Sequence, residues 1–127
     1  MNLEKVVFGF FIFLALTLNF GFVLGEIDDP AHHNAYELFA AVVVNLVAML
    51  LKFGDRTQAG ALMLASSLVA VLQLGAAAVV WAYATHVSPA GLDELLMASI
   101  VSLAAGAVVA NVISVVLLIT DAVAMRR

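Results

Sequence analysis

The sequence contains no cysteine and only two prolines in 127 residues. The absence of cysteine excludes a disulfide framework, a thiolate nucleophile and cysteine ligands for a metal. Charged residues are also scarce at 11%, against about 25% in an average soluble domain. So few charges cannot cover the surface of a soluble protein of this size. Because hydrophobic residues make up 65% of the chain, lipid is its expected solvent.

Basic residues are too few and too scattered to form a nucleic-acid-binding surface. The chain has five lysines and arginines, and its net charge is −4. No basic run is present, so we predict no nucleic-acid partner. The length suits one compact unit, and we predict a single transmembrane domain across residues 1–127.

Four long apolar segments predict an all-α membrane bundle. A bilayer core of about 30 Å requires about 20 apolar residues per helix. The predicted helices span approximately residues 6–25, 30–53, 57–85 and 92–124. The segments lack the alternation of a membrane β-barrel.

The positive charges predict one orientation in the membrane. With four helices, all five fall on the same side: Lys5, Lys52, Arg56, Arg126 and Arg127. Positive residues favour the cytoplasmic side, so both termini are predicted to be cytoplasmic. Six of the nine acids would then face outward: Glu26, Asp28, Asp29, Glu37, Asp93 and Glu94.

The decapeptide GEIDDPAHHN, residues 25–34, is the most polar stretch and has three interpretations. Asp29 followed by Pro30 is typical of a capped helix start. On a helix that begins at Pro30, Asp29, His33 and Glu37 would share one face, and His33 with Glu37 would form a minimal metal site. In the third interpretation Asp28, Asp29 and Glu37 form an acidic outer mouth that concentrates cations.

The predicted spans contain no ionisable residue deep in the membrane, which argues against a proton-coupled pump and against hydrolytic chemistry there. Each span instead has one amide side chain, and these are Asn19, Asn45, Gln73 and Asn111. A buried amide needs a hydrogen-bond partner. These residues therefore either join helices or line a narrow polar pathway.

Two helices have stripes of small or polar residues. In the second helix the stripe is Glu37, Ala41, Asn45, Ala48 and Lys52. It either packs against a neighbour or faces water, and in a water-filled path Lys52 must turn away toward lipid headgroups. In the fourth helix the stripe is Ser102, Gly106, Ala110 and Ser114. This small-xxx-small spacing permits close helix packing and favours a homo-oligomer.

Two blocks, GEIDDP-x-HHN and LKFGDRTQ, resemble a family of small four-helix bacterial inner-membrane proteins of unknown function. The resemblance covers approximately the first 60 to 80 residues. It implies a multi-pass protein of the bacterial cytoplasmic membrane, and it implies no activity.

The leading functional hypothesis is a small homo-oligomeric, cation-permeable channel in the lipid bilayer. Its mouth would be formed by Asp28, Asp29 and Glu37, and helix 2 would line the path past Asn45. The alternative is a structural or accessory subunit of a larger membrane complex. His32 and His33 have no nucleophile beside them, so we predict neither an enzyme nor a cofactor.

Overall fold

A computed structural model describes residues 3–26 and 28–125, and this part of the chain is helical apart from its connections. The four long helices are α1 (Leu3–Val23), α2 (Ala35–Lys52), α3 (Gln58–His86) and α4 (Glu94–Met125). A short 3₁₀ helix, Pro30–His32, precedes α2. All four long helices have the length and hydropathy needed to cross a membrane.

The connection before α2 differs from the predicted helix start. Asp29 caps only the 3₁₀ helix, and its side chain accepts a hydrogen bond from Ala31 N at 2.9 Å. His33 is extended, and Asn34 caps α2 by accepting from Tyr36 N at 2.8 Å. The predicted helical face through residues 29, 33 and 37 is therefore wrong, because the chain is not α-helical before Ala35.

The helices form an up-and-down bundle in which each helix packs against its neighbours in sequence. The α3/α4 contact is the most extensive, and α1 closes the bundle by packing against α2 and α4. Helices α1 and α4 are antiparallel: Lys5 Nζ lies 3.3 Å from Asp121 Oδ2, and Gly9 faces Leu118.

The buried apolar residues form two separate clusters. One cluster, which we call outer because it lies at the end of the bundle that the sequence predicts to face outward, is near the end of α1 and the start of α4. Its members are Phe22, Leu38, Ala41, Ala70, Leu74, Ala77, Met97, Ile100, Val101, Ala104, Ala107 and Ala110. The inner cluster lies toward the start of α1, and its members are Phe8, Ile12, Ala48, Met63 and Leu118. Buried polar side chains lie in the interior between the two apolar clusters.

Candidate functional site

Six polar side chains lie inside the bundle near the junction of the two apolar clusters. We call them the polar band, and its members are Asn19, Asn45, Ser66, Ser67, Asn111 and Ser114. All four helices contribute, and none of the six residues is more than 8% exposed. Burying polar groups this deeply costs free energy unless partners satisfy them.

Contacts between the helices give the depths of five members of this band: Asn45, Ser66, Ser67, Asn111 and Ser114. Glu37 at the start of α2 lies against Gly21 near the end of α1. Asn45 is eight positions further along α2, about 12 Å below that contact at 1.5 Å per residue. In the antiparallel α1 that depth corresponds to position 13.

The register of α1 against α4 places position 13 beside the turn of α4 that contains Ser114. The hydroxyl groups of Ser114 and Ser66 are hydrogen-bonded, which brings α3 to the same depth. Ser67 follows Ser66, and Asn111 lies about one turn above Ser114 toward the outer cluster. These five residues form a layer across the bundle, and Asn19, opposite position 108 of α4, lies about 9 Å above the level of Ser114.

Part of the band is joined by hydrogen bonds between helices. In the amide orientation that satisfies its neighbours, Asn19 donates to Ala104 O at 3.0 Å. Its oxygen accepts from Val108 N at 3.1 Å and from Asn111 Nδ2 at 3.3 Å. The Asn45 side chain donates to Ala41 O at 2.7 Å within its own helix. Asn19 thus joins α1 to α4, as expected for an amide that holds helices together.

Three oxygen atoms of the band have no hydrogen-bond partner among residues 3–26 and 28–125. They are Asn45 Oδ1, Ser67 Oγ and Asn111 Oδ1, and each lies on a different helix. A buried polar atom of this kind costs about 1–3 kcal/mol. Each of these oxygens can accept a hydrogen bond or bind a cation.

At the outer end, the two adjacent histidines have different roles. His32 is exposed, and its Nδ1 accepts from Glu26 N at 2.9 Å. Its Nε2 lies 3.4 Å from Asp29 Oδ2. Gly25 has a φ of +96°, and a Cβ there would lie 2.7 Å from the His32 Cβ, so the loop requires glycine at this position.

His33 is buried, and both of its ring nitrogens face carbonyl oxygens. Nδ1 lies 2.6 Å from Phe22 O, and Nε2 lies 2.7 Å from Glu26 O. A carbonyl oxygen only accepts, so each contact is a hydrogen bond only if that nitrogen carries a hydrogen. The ring lies against both carbonyls, and the nitrogen that carries the hydrogen donates to one of them. His33 therefore packs against the carbonyl end of α1.

The predicted outer-mouth residues are spread over the loop and the start of α2. Asp28 is exposed, and Asp29 is half-buried and occupied with the 3₁₀ helix. The Glu37 carboxylate points toward α1, where a Cβ on Gly21 would lie 2.6 Å from Glu37 Oε2. Among the described residues, no group of three or more His, Cys, Asp and Glu side chains is placed to hold a metal ion.

At the inner end, charged residues surround a cavity of about 160 Å³, and its lining residues are Glu4, Lys5, Lys52, Asp55, Thr57, Leu118 and Asp121. Lys52 is only 5% exposed. Its Nζ lies 3.4 Å from Asp55 Oδ2 and 4.3 Å from the centre of the Phe8 ring. Lys52 therefore does not turn toward lipid headgroups, as a water-filled path along α2 would require, because an ion pair and an aromatic face hold it inside.

The connection between α2 and α3 is built around Asp55. Its Oδ1 accepts hydrogen bonds from Thr57 Oγ1 at 2.7 Å and from Thr57 N at 3.0 Å. These two bonds, and then the charge of Lys52, lower the pKa of the Asp55 carboxyl below its usual value. Thr57 in turn caps α3, and Gly60 leaves room for the Asp55 carboxylate. The LKFGDRTQ block thus forms a compact charged turn.

Most side chains of the α2 and α4 stripes are buried inside the four-helix bundle. Ala41, Asn45, Ala48 and Lys52 are buried in the bundle, so they do not line its surface. On α4, Ala110 and Ser114 are buried, and a Cβ on Gly106 would lie 3.1 Å from Gln73 Oε1 of α3. Ser102 is exposed.

Sequence reasoning identified the three asparagines of the band and placed Ser114 in the packing stripe of α4, but it did not assign the Ser66–Ser67 pair to a polar layer. Ser66 and Ser67 are adjacent residues, and a pair of serines in a membrane helix carries no periodic signal. It also missed the double contact of His33, because that contact depends on the extended backbone before Asn34. The Asn34 capping position was the available signal for a later helix start.

The chain belongs to DUF6394, a family of unknown function whose model matches residues 32–122. The matched range includes the polar residues of α2, α3 and α4 and the LKFGDRTQ block, and residues 25–31 of the outer loop precede it. Neither the curated proteins nor the solved structures gave a match.

Proposed function

We propose that this DUF6394 member is an integral membrane protein that lets small cations pass through the interior of its four-helix bundle. The observation that carries the proposal is the set of three unpartnered oxygens on α2, α3 and α4. Oxygens that lack donors stabilise a partly dehydrated cation and disfavour an anion. The pathway lies within one chain and not around a ring of α2 helices, because the α2 stripe is buried in its own bundle.

The membrane placement is part of the proposal and has two supports. All four helices are long and apolar enough to span a bilayer, and large apolar side chains are exposed on each, such as Phe10, Leu50, Leu72 and Val109. Lys5, Lys52 and Arg56 belong to the inner end of the bundle, which we assign to the cytoplasm. The compartment would be the bacterial inner membrane.

The proposed pathway runs from the acidic outer end to the polar band and on to the inner charged cavity. Phe22 and Leu38 of the outer cluster lie above the band, and Phe8 and Met63 of the inner cluster lie below it. These apolar residues close both sides. Passage of an ion therefore requires their side chains or helices to move apart.

A homo-oligomer remains part of the proposal, with a contact surface other than the small stripe of α4. Gly106 is covered by Gln73, and Ala110 and Ser114 are buried within the chain. These residues are therefore used in folding the protomer. An exposed apolar face of the helices is left for contact between copies, and each copy would contain its own pathway.

The test is ion flux into proteoliposomes that contain protein of verified orientation. Wild type is expected to pass potassium or sodium but not chloride. Asn45→Leu removes a pathway oxygen and is expected to lower cation flux about tenfold, which corresponds to about 1.4 kcal/mol. Glu37→Gln is expected to reduce flux or cation selectivity.

Gln73→Leu is the matched control, because Gln73 is an amide outside the band and is only half-buried. Equal loss in Asn45→Leu and Gln73→Leu would contradict the proposal.

A second candidate is a structural or accessory subunit of a larger membrane complex. The observation that favours it is the apolar closure on both sides of the band. In this role the band only joins helices, and the outer loop is a docking surface. Complete absence of cation flux from folded, correctly inserted wild type would favour this candidate over the first.

A further inference from the structure

A long apolar groove runs along the surface between α1 and α4. It has a volume of about 510 Å³, and its lining residues are Lys5, Val6, Gly9, Phe10, Phe13, Leu118, Ile119 and Ala122. Gly9 forms the floor, where a Cβ would lie 3.5 Å from Leu118 Cδ2. The groove exists because the missing side chain leaves the α4 surface uncovered.

The groove continues along α1 beyond Phe13. A second depression of about 250 Å³ is lined by Phe10, Phe13, Leu14 and Thr17, so two phenylalanines are common to both. The Thr17 hydroxyl donates its hydrogen to Leu14 O at 2.9 Å, within α1. From Lys5 to Thr17 the rise is about 18 Å, slightly more than half of a 30 Å bilayer core. This length matches one acyl chain of one leaflet.

The end of the groove is charged. Lys5 and Asp121 form a pair at 3.3 Å, and their side chains are 33% and 26% exposed. The neighbouring inner cavity adds Glu4, Lys52 and Asp55, so two lysines face three carboxylates. A headgroup with one negative phosphate and one positive ammonium complements such a surface. A headgroup with net negative charge meets the excess of carboxylates.

We propose that this groove binds one zwitterionic phospholipid with a primary ammonium group. Its acyl chain lies over Gly9 between Phe10 and Phe13, its phosphate contacts Lys5, and its ammonium contacts Asp121. The proposal rests on the membrane placement proposed above and is independent of cation flux. Bulk lipid is as apolar as the groove, so selection must come from the headgroup.

The test is native mass spectrometry of the full chain in detergent. The probes are phosphatidylethanolamine, phosphatidylcholine and phosphatidylglycerol with identical acyl chains. Wild type is expected to retain one phosphatidylethanolamine at least about threefold better than either other lipid, as two partly exposed charge contacts allow. Asp121→Asn is expected to abolish the preference over phosphatidylcholine, which lacks ammonium hydrogens. Equal retention of all three lipids by wild type would overturn the proposal.

Two variants fill the groove from opposite walls. Gly9→Leu fills its floor, and Ala122→Phe narrows it from the exposed side of α4 without entering the core. Both are expected to lower retention at least about threefold. Gly75→Leu is the control, because a Cβ on Gly75 meets no atom within 4 Å. If either folded groove variant retains the lipid like wild type, the assigned site is wrong.

A second copy of the chain is the competing occupant. The protein has no cysteine, so Phe13→Cys introduces a single thiol in the groove wall. Lipid occupancy is expected to protect this thiol and leave the chain uncrosslinked. Efficient disulfide dimer formation that added phosphatidylethanolamine does not reduce would identify the groove as an interface between copies and overturn the proposal. Cation flux uses Asn45 and Ser67, so failure of either proposal is visible separately.

Discussion

His33 of the outer loop holds the end of α1 through Phe22, whose carbonyl oxygen lies 2.6 Å from His33 Nδ1. The last four carbonyls of a helix lack partners within the helix, and Phe22 is one residue from the end of α1. The other ring nitrogen lies 2.7 Å from Glu26 O, so one side chain contacts both the helix end and the chain that leaves it.

The first prediction concerns this contact. His33→Leu is expected to lower the free energy of unfolding by about 1–3 kcal/mol, because the hydrogen bond from the buried ring to the carbonyl of Phe22 or Glu26 is lost. His32→Leu, at the exposed neighbouring position, is expected to cost less than about 1 kcal/mol. The measurement is reversible unfolding in detergent for both variants. A larger loss of stability in His32→Leu than in His33→Leu would contradict the prediction, because it would mean that the contacts of His32 with Glu26 and Asp29 stabilise the loop more.

The second prediction separates two glycines. Gly106→Leu is expected to destabilise the folded chain by about 1–3 kcal/mol, because its side chain must displace the Gln73 amide. Gly75→Leu is expected to change stability by less than about 0.5 kcal/mol, because it points into open space. Thermal unfolding of the two variants in one detergent makes the comparison. Loss of oligomer without loss of stability in Gly106→Leu would contradict the packing described for α4.

The four helices were predictable because each has a continuous apolar run, and the predicted bounds of α1, α3 and α4 lie within three residues of those in the structure. The exception is α2, where Pro30 and Asp29 suggested a start five residues early. Asp29 does cap a helix, but a 3₁₀ turn. Two capping residues in one loop, Asp29 and Asn34, compete locally, and the packing of His33 against α1 selects the second as the start of α2.

The environment of the candidate site residues was less predictable for a different reason. Spacing showed that Glu37, Asn45 and Lys52 share one side of α2, but a stripe has the same spacing whether it faces water or a neighbouring helix. Only tertiary contacts decide this, and Asn45 and Lys52 lie inside the bundle. The pairing of Lys52 with Asp55 likewise depends on the turn that follows α2.

The third prediction concerns pH. The pKa of Asp55 is lowered in the folded chain, mainly by two hydrogen bonds from Thr57. A lowered pKa means that the ionised Asp55 carboxylate stabilises the fold. This stabilisation is present above the unfolded pKa of about 4 and is lost as pH falls through the folded pKa. Wild type is therefore expected to lose stability below about pH 4 more steeply than Asp55→Asn. Parallel acid-unfolding curves for the two proteins would contradict this assignment.

The fourth prediction tests whether the polar band holds a cation at equilibrium. In a band that only joins helices, Ser67→Ala removes an unpartnered hydroxyl and is expected to leave stability unchanged or raise it by about 1 kcal/mol. If the band binds a cation, that cation raises the unfolding temperature of wild type, and the increase grows with its occupancy.

Potassium, sodium and a large impermeant organic cation are compared at constant ionic strength, so that screening of the surface ion pairs is the same in each. Wild type is expected to be stabilised by one of the small ions, and Ser67→Ala is expected to lose most of that difference. Ser102→Ala, an exposed serine on α4, provides the control and is expected to respond like wild type. Identical unfolding temperatures for wild type in all three salts would show that the three oxygens are not a cation site, and the cation pathway would lose its main support.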